Sequence, residues 1–195
     1  MARLAIRRIN IQLSPCLNLK NQKRYLFTVP KGPIEYTHRV LIREEPTKVY
    51  NIVSEVSKYK EFIPYCLDSF VDKRDSNNDN KPIQAGLRVG FRQYDERFVC
   101  NVDCSNNVIG RRTKYVVKAE SISHQLFKEL SGTWIITPCV RNKNISTVEL
   151  LLRFQFHSKL YNAVSTIFAH SATTLVMKAF ATRAEQLKII DDEKK

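Results

Sequence analysis

The sequence predicts an α+β fold, in which a curved antiparallel sheet wraps around a long C-terminal helix. Three observations support this prediction. Alternation of apolar and polar residues recurs along most of the chain, a short helical pattern interrupts it early, and a long helical pattern without glycine or proline ends it. With 195 residues and 43% hydrophobic content, the chain can bury one substantial core.

The first part of the chain, residues 1–34, is basic and differs in composition from the rest. It contains seven of the 32 Lys and Arg residues and none of the 19 acids, so it carries about half of the net charge of +13. Arg and Lys alternate there with Leu and Ile, without a long apolar run, which is typical of a mitochondrial transit peptide. We therefore predict a transit peptide over residues 1–30. The alternative is a disordered basic arm, or an arm that binds RNA or membrane.

The first strand of the folded domain is predicted from Tyr36 to Arg43, because apolar and polar residues alternate there. A helix follows in the segment EEPTKVYNIVSEV, where Pro46 suits the first turn and acidic residues suit the positive end of the helix dipole. The aromatic and apolar residues after this helix exceed what one helix face can bury. Such a run beside a proline indicates either core under a loop or the mouth of a cavity or a membrane-touching edge. Its members are Tyr59, Phe62, Ile63, Pro64 and Tyr65.

Five or six further strands are predicted after Cys66, separated by the loops SNNDNKP, SNN and RNKN. The clearest strand runs from Val148 to Phe156, where every second residue is apolar. From Ser158 to about Ile189, apolar residues recur at helical spacing in a stripe wider than two-layer packing requires. The wide stripe indicates either deep burial against a strongly bent sheet or an internal cavity. This order of elements is that of a helix-grip architecture, whose sheet and helix can leave an apolar chamber between them.

The cysteines and acidic residues do not form a recognisable catalytic or metal site. The five cysteines lack paired short spacings, which argues against a disulfide framework. Cys100 and Cys104 lie on one predicted strand, where about 13 Å would separate their β-carbons, too far for shared zinc coordination. Asp95 and Glu96 are adjacent, so on a strand they point to opposite faces and cannot act as a carboxylate pair. The chain also lacks a Gly-x-Ser-x-Gly motif and a glycine-rich phosphate loop.

Five segments carry a resemblance to a known family. They are KVYNIVSEVSKYKEFIPYC, AGLRVGFRQYDERFVCNV, LFKELSGTWII, FQFHSKLYNAV and AFATRAEQL. In this order and spacing they resemble the mitochondrial coenzyme Q-binding protein family, a START-like group of the polyketide cyclase/dehydrase superfamily, from about Glu35 to Leu187. The matching positions are Tyr59, Phe62, Pro64, Cys66, Gly86, Val89, Gly90, Phe91, Phe127, Lys128, Leu130, Trp134, Ala179, Phe180, Arg183 and Ala184.

The resemblance implies a lipid carrier or chaperone that binds coenzyme Q in an apolar cavity and catalyses no reaction. It implies a START-like domain over residues 35–190, before a charged tail at 191–195, on the matrix side of the mitochondrial inner membrane. Coenzyme Q would be a bound ligand rather than a catalytic cofactor, needed for respiratory electron transport and efficient quinone biosynthesis. The expected partners are anionic inner-membrane lipids and respiratory or quinone-biosynthesis complexes, without nucleic acid. A ribosome- or RNA-associated START-like protein is the alternative, followed by a cyclase-like or hydroxylating enzyme.

The ligand site is predicted from the motif positions and from strand alternation, with core packing as the alternative for each residue. Phe62 to Tyr65 are predicted to form a gate that meets the lipid, and Lys58 and Lys60 to face anionic head groups. Lipid tails are as apolar as leucine, so transfer of a quinone from bilayer to cavity is nearly neutral and reversible. The predicted coenzyme Q-binding residues are Tyr59, Phe62, Pro64, Tyr65, Phe91, Phe98, Trp134, Phe154, Phe168 and Phe180.

Overall fold

The computed structural model describes residues 32–91, 94–110, 112–123, 127–157 and 159–193, and the side chains of these residues except those of 91, 94 and 159–169. The described residues form a sheet, two α-helices and a 3-10 helix. The strands are β1 (Ile34–Ile42), β2 (Cys66–Asp75), β3 (Lys81–Phe91), β4 (Tyr94–Ile109), β5 (Arg112–Ser121), β6 (Phe127–Pro138) and β7 (Ser146–Phe156). The helices are α1 (Pro46–Ser54), the 3-10 helix (Val56–Glu61) and α2 (Lys159–Glu193).

The seven described strands form one antiparallel sheet in the order β1-β7-β6-β5-β4-β3-β2. Strands β2 to β7 follow one another as a meander, and β1 pairs with the last of them, with Tyr36 opposite Leu152. Register shifts in β2 and at the start of β6 mark irregularities of the kind that bend a sheet. Helix α2 packs against β1 and β7. The predicted α+β class and the long C-terminal helix are therefore confirmed, and six strands are described where five or six were predicted.

The core lies between the sheet and the helices. Val53 of α1, Ile136 of β6 and Val148 of β7 are completely buried. On α2, Met177, Phe180 and Ala184 are each 1% exposed and follow one another at steps of three and four residues, so one face of the helix meets the core. Burial of each large apolar side chain contributes about 1.5 to 3 kcal/mol.

Gly86 on β3 has a structural reason to be glycine. The ring of Phe70, on the neighbouring strand, crosses directly over it on the outer face of the sheet. A β-carbon at Gly86 would lie 2.7 Å from the carbonyl oxygen of Phe98 and closer still to the Phe70 ring. Any side chain at this position would therefore overlap the Phe70 ring and crowd the backbone of β4.

The predicted loop SNN is wrong, because residues 105–107 lie within β4. Asn106 and Asn107 pair with Tyr115 and Lys114 of β5, and this pairing outweighs the turn preference of Ser-Asn-Asn. The strand instead turns at Gly110, whose φ of 62° suits glycine. The RNKN loop lies between β6 and β7 as predicted.

Two other predicted boundaries differ from the structure. The SNNDNKP loop ends earlier than predicted, because β3 begins at Lys81. Helix α2 continues through Glu193, so the first three residues of the predicted charged tail are helical.

Candidate functional site

The inner face of the sheet, which the helices cover, carries most of the described aromatic residues predicted to bind the ligand. Four of these residues form what we call the first aromatic cluster. The ring centroid of Phe180 lies 4.6 Å from that of Trp134 and 5.1 Å from those of Tyr59 and Phe62. Phe180 is 1% exposed, so it forms the centre of this cluster.

Three separate elements position the first aromatic cluster. Trp134 lies on the inner face of β6, Phe180 on α2, and Tyr59 and Phe62 at the end of the 3-10 helix. The Tyr59 hydroxyl donates a hydrogen bond to the carbonyl of Val53, which ties the 3-10 helix to α1. Burial raises the pKa of Tyr59 well above its ordinary value, so the hydroxyl remains a neutral donor.

Phe62 also joins the 3-10 helix to α2 through a contact with Arg183. Its ring is half-buried, and the Arg183 guanidinium lies over it at 5.6 Å from the centroid. Arg183 donates a hydrogen bond of 2.7 Å to Glu61. The two elements are therefore held together by aromatic, cation–π and ionic contacts at one place.

A second aromatic cluster, of Phe98, Phe127, Phe154 and Phe156, lies on the inner face nearer the beginning of α2. The Phe127 centroid is 4.7 Å from that of Phe156 and 6.4 Å from those of Phe98 and Phe154. Phe154 and Phe156 are 1% and 8% exposed, whereas Phe98 and Phe127 are only half-buried. The partly buried residues packed around Phe154 and Phe156 are Ile34, Tyr36, Phe127, Leu130 and Leu152.

The inner face is thus unequally covered along its length. Around Ile136 and Val148 it is completely buried, but around the second aromatic cluster several inward-facing apolar residues keep partial exposure. Polar atoms lie beside this partly exposed surface, since the Tyr36 hydroxyl is hydrogen-bonded to Nδ1 of His170 on α2. The ring of His38 stacks on Tyr36 at 6.5 Å between centroids. Such an arrangement provides an apolar surface with a few hydrogen-bonding groups at its side.

The predicted gate residues divide into two pairs. Phe62 and Ile63 are half-buried and packed against the core, whereas Pro64 and Tyr65 are exposed, Tyr65 by 54%. Tyr65 has a φ of 64°, and its carbonyl accepts a hydrogen bond of 2.9 Å from the Gly90 amide. The outward-facing part of this segment is therefore the pair that follows Phe62 and Ile63.

The two lysines predicted to face anionic head groups each lie near an acidic side chain. Lys58 lies 3.2 Å from Glu61, and Lys60 lies 3.2 Å from Asp68 on β2. All four of these side chains are more than a third exposed, and Glu61 is shared with Arg183, so both cations remain at the surface. The sequence did not indicate the pair with Asp68, because Asp68 comes close only once β2 folds back along the 3-10 helix.

The remaining predicted site residues are Phe91 and Phe168, whose side chains lie outside the described part of the structure. Conversely, Phe127 and Phe156 were not predicted as site residues, although both belong to the second aromatic cluster. The alternation in β7 places Phe156 on the same face as Phe154, so this signal could have found it.

The buried thiols of β4, Cys100 and Cys104, are expected to be poor nucleophiles. Burial raises the pKa of Cys100 and the pKa of Cys104 to about 11, so both remain protonated at neutral pH. Among the described residues, no group of three or more His, Cys, Asp or Glu side chains is placed to hold a metal ion. In the same part of the chain, no helix has the length and apolar character required to span a membrane.

A groove of about 340 Å³ lies between α1, the 3-10 helix and the C-terminal half of α2. Ile52, Phe62, Ala184 and Leu187 provide its apolar part, and charged residues such as Lys48 and Asp191 form its rim. Phe62 belongs to both the groove and the first aromatic cluster, so its ring separates the groove from Phe180.

Comparison with known proteins identifies several related sequences. The family described as polyketide cyclase/dehydrase and lipid transport matches residues 43–181. The mitochondrial coenzyme Q-binding protein of Saccharomyces cerevisiae is 56% identical over 152 residues, which cover 78% of this chain and 71% of the relative. The protein of the same name from Eremothecium gossypii is 48% identical over 169 residues, which cover 87% and 75% of the two chains.

The fold is similar to that of solved START structures. A START superfamily protein from Mycobacterium smegmatis superposes with a TM-score of 0.66 at 17% identity, covering 78% of this chain and 98% of that one. An aromatase/cyclase from Streptomyces superposes with a TM-score of 0.58 at 12% identity, covering 79% and 94%. At these identities the likeness concerns the fold alone, and the predicted START-like fold is confirmed.

A more distant relative has a different name. The ribosome association toxin of Vibrio cholerae is 26% identical over 160 residues, which cover 78% of this chain and 96% of the toxin. Its identity is less than half that of the Saccharomyces cerevisiae protein.

Proposed function

Because this chain belongs to the mitochondrial coenzyme Q-binding protein family, we propose that it is a lipid carrier that binds coenzyme Q against the inner face of its sheet. The observation that carries the proposal is the partial exposure of inward-facing apolar residues at the second aromatic cluster. An apolar surface between a sheet and a helix suits a long isoprenoid tail, which offers almost no hydrogen-bonding groups.

The polar end of the ligand fits the side of this surface. Quinone oxygens only accept hydrogen bonds. In the tautomer of His170 that carries its proton on Nδ1, the imidazole donates to the Tyr36 hydroxyl, which leaves the hydroxyl proton to bond to a quinone oxygen. The Tyr36 ring packs against the second aromatic cluster. His170 fixes that hydroxyl from α2, and the tail then lies along the phenylalanine rings. Polar contacts of this kind give selectivity that hydrophobic burial cannot supply.

A carrier can release this ligand because it exchanges the ligand with a membrane rather than with water. Burial of roughly 500 Å² of apolar surface is worth about 12 kcal/mol relative to water. The quinone comes from a bilayer, however, where its tail is already in an apolar environment, so the net gain on transfer is small. Binding is therefore reversible, and the free energy that separates bound from membrane-dissolved quinone comes from shape and the few polar contacts.

The mouth of the site lies at Pro64 and Tyr65, where the chain is exposed and joined to β3 through Gly90. Their exposure and their position next to the half-buried Phe62 support this assignment. In this proposal the chain works as a peripheral protein on the matrix side of the inner membrane, after import by residues 1–30. It supports the function of coenzyme Q in respiratory electron transport and the efficient biosynthesis of the quinone, and it is not an enzyme. A reporter fused to residues 1–35 that stayed in the cytosol would remove the import step.

The test is the quinone content of matched variants purified from a host that makes coenzyme Q. Phe98→Leu with Phe127→Leu should lower bound quinone per chain, measured by lipid extraction and mass spectrometry. The matched control is Phe70→Leu, a half-buried phenylalanine on the outer face of the sheet, which should retain quinone. Equal retention by all variants would contradict the proposed site. Copurified RNA in place of quinone would favour the ribosome-associated function suggested by the Vibrio cholerae relative.

A further inference from the structure

Two neighbouring hairpins, β4–β5 and β6–β7, turn at the same end of the sheet. Tyr115 of β5 pairs with Ile136 of β6. Two residues beyond this pair, β5 reaches Thr113, which pairs with Val108, and β6 reaches Pro138, which pairs with Ser146. The β4–β5 turn and the β6–β7 loop therefore lie at the same end of the strands and extend about equally far along the strand direction. Two strand spacings, about 10 Å, separate them.

The ends of these hairpins expose branched aliphatic side chains. Val108 is 73% exposed, Ile109 is 65% exposed and Val140 is 74% exposed. Gly110 makes the first turn tight, so Val108 and Ile109 are held at the end of a regular strand pair. Val108 and Ile109 are consecutive on β4 and face opposite sides of the hairpin, so with Val140 they reach a common surface only at the hairpin ends, approached end-on.

The same two segments carry uncompensated positive charge. Residues 104–119 and 130–148 contain no acidic residue. Arg112, Lys114, Arg141 and Lys143 lie in these segments, and within the described residues none of them forms an ion pair. They differ in this respect from Lys58 and Lys60 beside the predicted gate, each of which lies 3.2 Å from an acidic side chain.

We propose that this surface, which we call the hairpin-tip surface, docks on an anionic lipid bilayer. The three aliphatic side chains would enter the boundary between head groups and acyl chains, while the cations would lie at the anionic head groups. A bilayer is favoured over RNA, because branched aliphatic side chains gain nothing from phosphates and cannot stack on bases as aromatic side chains do. The hairpin-tip surface consists of Val108, Ile109, Arg112, Lys114, Val140, Arg141 and Lys143.

This surface lies at the opposite end of the sheet from the proposed mouth. Strand β4 has 16 residues between its Tyr94 end and its Ile109 end, a length of up to about 50 Å. Tyr65 joins β3 at Gly90, which pairs with Asp95 near the beginning of β4. Quinone exchange requires the mouth itself to meet a bilayer, so docking through the hairpin-tip surface would hold the chain on the membrane between exchanges rather than during them. The location of the mouth rests on the proposed function, but the docking surface does not.

The experiment measures binding of the full chain to vesicles of phosphatidylcholine, with and without phosphatidylglycerol, by flotation. One variant combines Val108→Ser, Ile109→Ser and Val140→Ser, and its control combines Leu67→Ser, Ile83→Ser and Ile122→Ser, which are exposed elsewhere. A charge variant combines Arg112→Gln, Arg141→Gln and Lys143→Gln, and its control combines Lys73→Gln, Lys128→Gln and Lys178→Gln, with the same change in net charge. Residues 1–34 are identical in all of these chains, so their basic charge contributes equally.

We expect both hairpin-tip variants to bind anionic vesicles more weakly than their controls. Each cation removed should weaken binding to anionic vesicles about fivefold, and the controls should change it much less. Equal binding by a variant and its control would overturn the proposal. So would binding to ribosomes, rather than vesicles, that depends on the same residues. Bound quinone, measured in the same preparations, should be unchanged in the hairpin-tip variants, which keeps this test separate from that of the ligand site.

Discussion

The ring of Phe62 meets the ring of Phe180 edge-on, with centroids 5.1 Å apart and planes at 85°. This contact brings the end of the 3-10 helix onto α2 and separates the outer groove from the buried side of the first aromatic cluster. The packing of Phe62 on Phe180 therefore anchors the start of the segment 63–65. Movement of the proposed mouth would begin at Pro64 and Tyr65, which are exposed, rather than at Phe62.

The first prediction concerns this division of the gate segment. Tyr65→Ser with Pro64→Ala should change the free energy of unfolding by less than about 1 kcal/mol, because both residues are exposed. It should nevertheless slow quinone transfer between liposomes. Phe62→Ser with Ile63→Ser should instead lower the free energy of unfolding by about 3 kcal/mol or more, because these side chains pack on the core. Denaturant unfolding and a liposome transfer assay measure the two effects, and normal transfer by the Pro64 and Tyr65 variant would move the mouth elsewhere.

The second prediction separates core from ligand contact in the two aromatic clusters. Phe180→Leu should lower the free energy of unfolding by about 1 to 2 kcal/mol, because Phe180 is 1% exposed and surrounded by aromatic rings. Phe98→Leu should lower it less but reduce bound quinone more, because Phe98 is half-buried on the surface proposed for the ligand. The measurement is bound quinone plotted against the free energy of unfolding for each variant. One common line through both would show that Phe98 is only a core residue.

The sequence predicted those parts of the fold that depend on local periodicity. Strand β7 and helix α2 were found because long, regular patterns leave few alternatives. The loop predicted at residues 105–107 was wrong, because cross-strand pairing with β5 is not visible in local composition. The pairing of Lys60 with Asp68 was missed for a related reason, since it depends on how β2 returns along the 3-10 helix.

Part of the candidate site could also be predicted from local periodicity. Phe154 and Trp134 were assigned to the inner face from alternation and motif position, and the structure places both there. The unequal burial of Phe98 and Phe180 could not be predicted, because it depends on how closely α2 approaches each part of the sheet.

The third prediction concerns Gly86. Gly86→Ala should lower the free energy of unfolding by about 1 to 3 kcal/mol, because the new β-carbon would overlap the Phe70 ring and approach the carbonyl of Phe98. Adding Phe70→Leu should restore part of the loss, since only the ring can move aside. Gly32→Ala is the matched control, because a β-carbon there would meet nothing within 4 Å. Equal stability of the two alanine variants would contradict the close approach of Phe70.

The fourth prediction is a pH dependence. Hydrogen bonds from the Arg74 guanidinium hold the pKa of the Glu55 carboxyl below its ordinary value of 4.5. A lowered pKa in the folded state means that the stabilisation is present above the ordinary pKa and is lost as the pH falls through the folded pKa. The pair is partly exposed, so the effect should be below about 1 kcal/mol.

Urea unfolding at pH 7 and at pH 3 measures this effect. Glu55→Gln should be less stable than the wild type at pH 7, and the difference should shrink at pH 3. Glu185→Gln, an exposed change on α2, is the control and should show no such dependence. A constant difference at both pH values would mean that Glu55 acts through packing rather than charge.

Native mass spectrometry of the full chain, purified without added ligand from a host that makes coenzyme Q, tests the proposed function most directly. We predict a population whose mass equals one chain plus one coenzyme Q. It should disappear after delipidation and return after incubation with quinone-containing vesicles. A chain that remains free of quinone after that incubation, while still folded by circular dichroism, would contradict coenzyme Q binding.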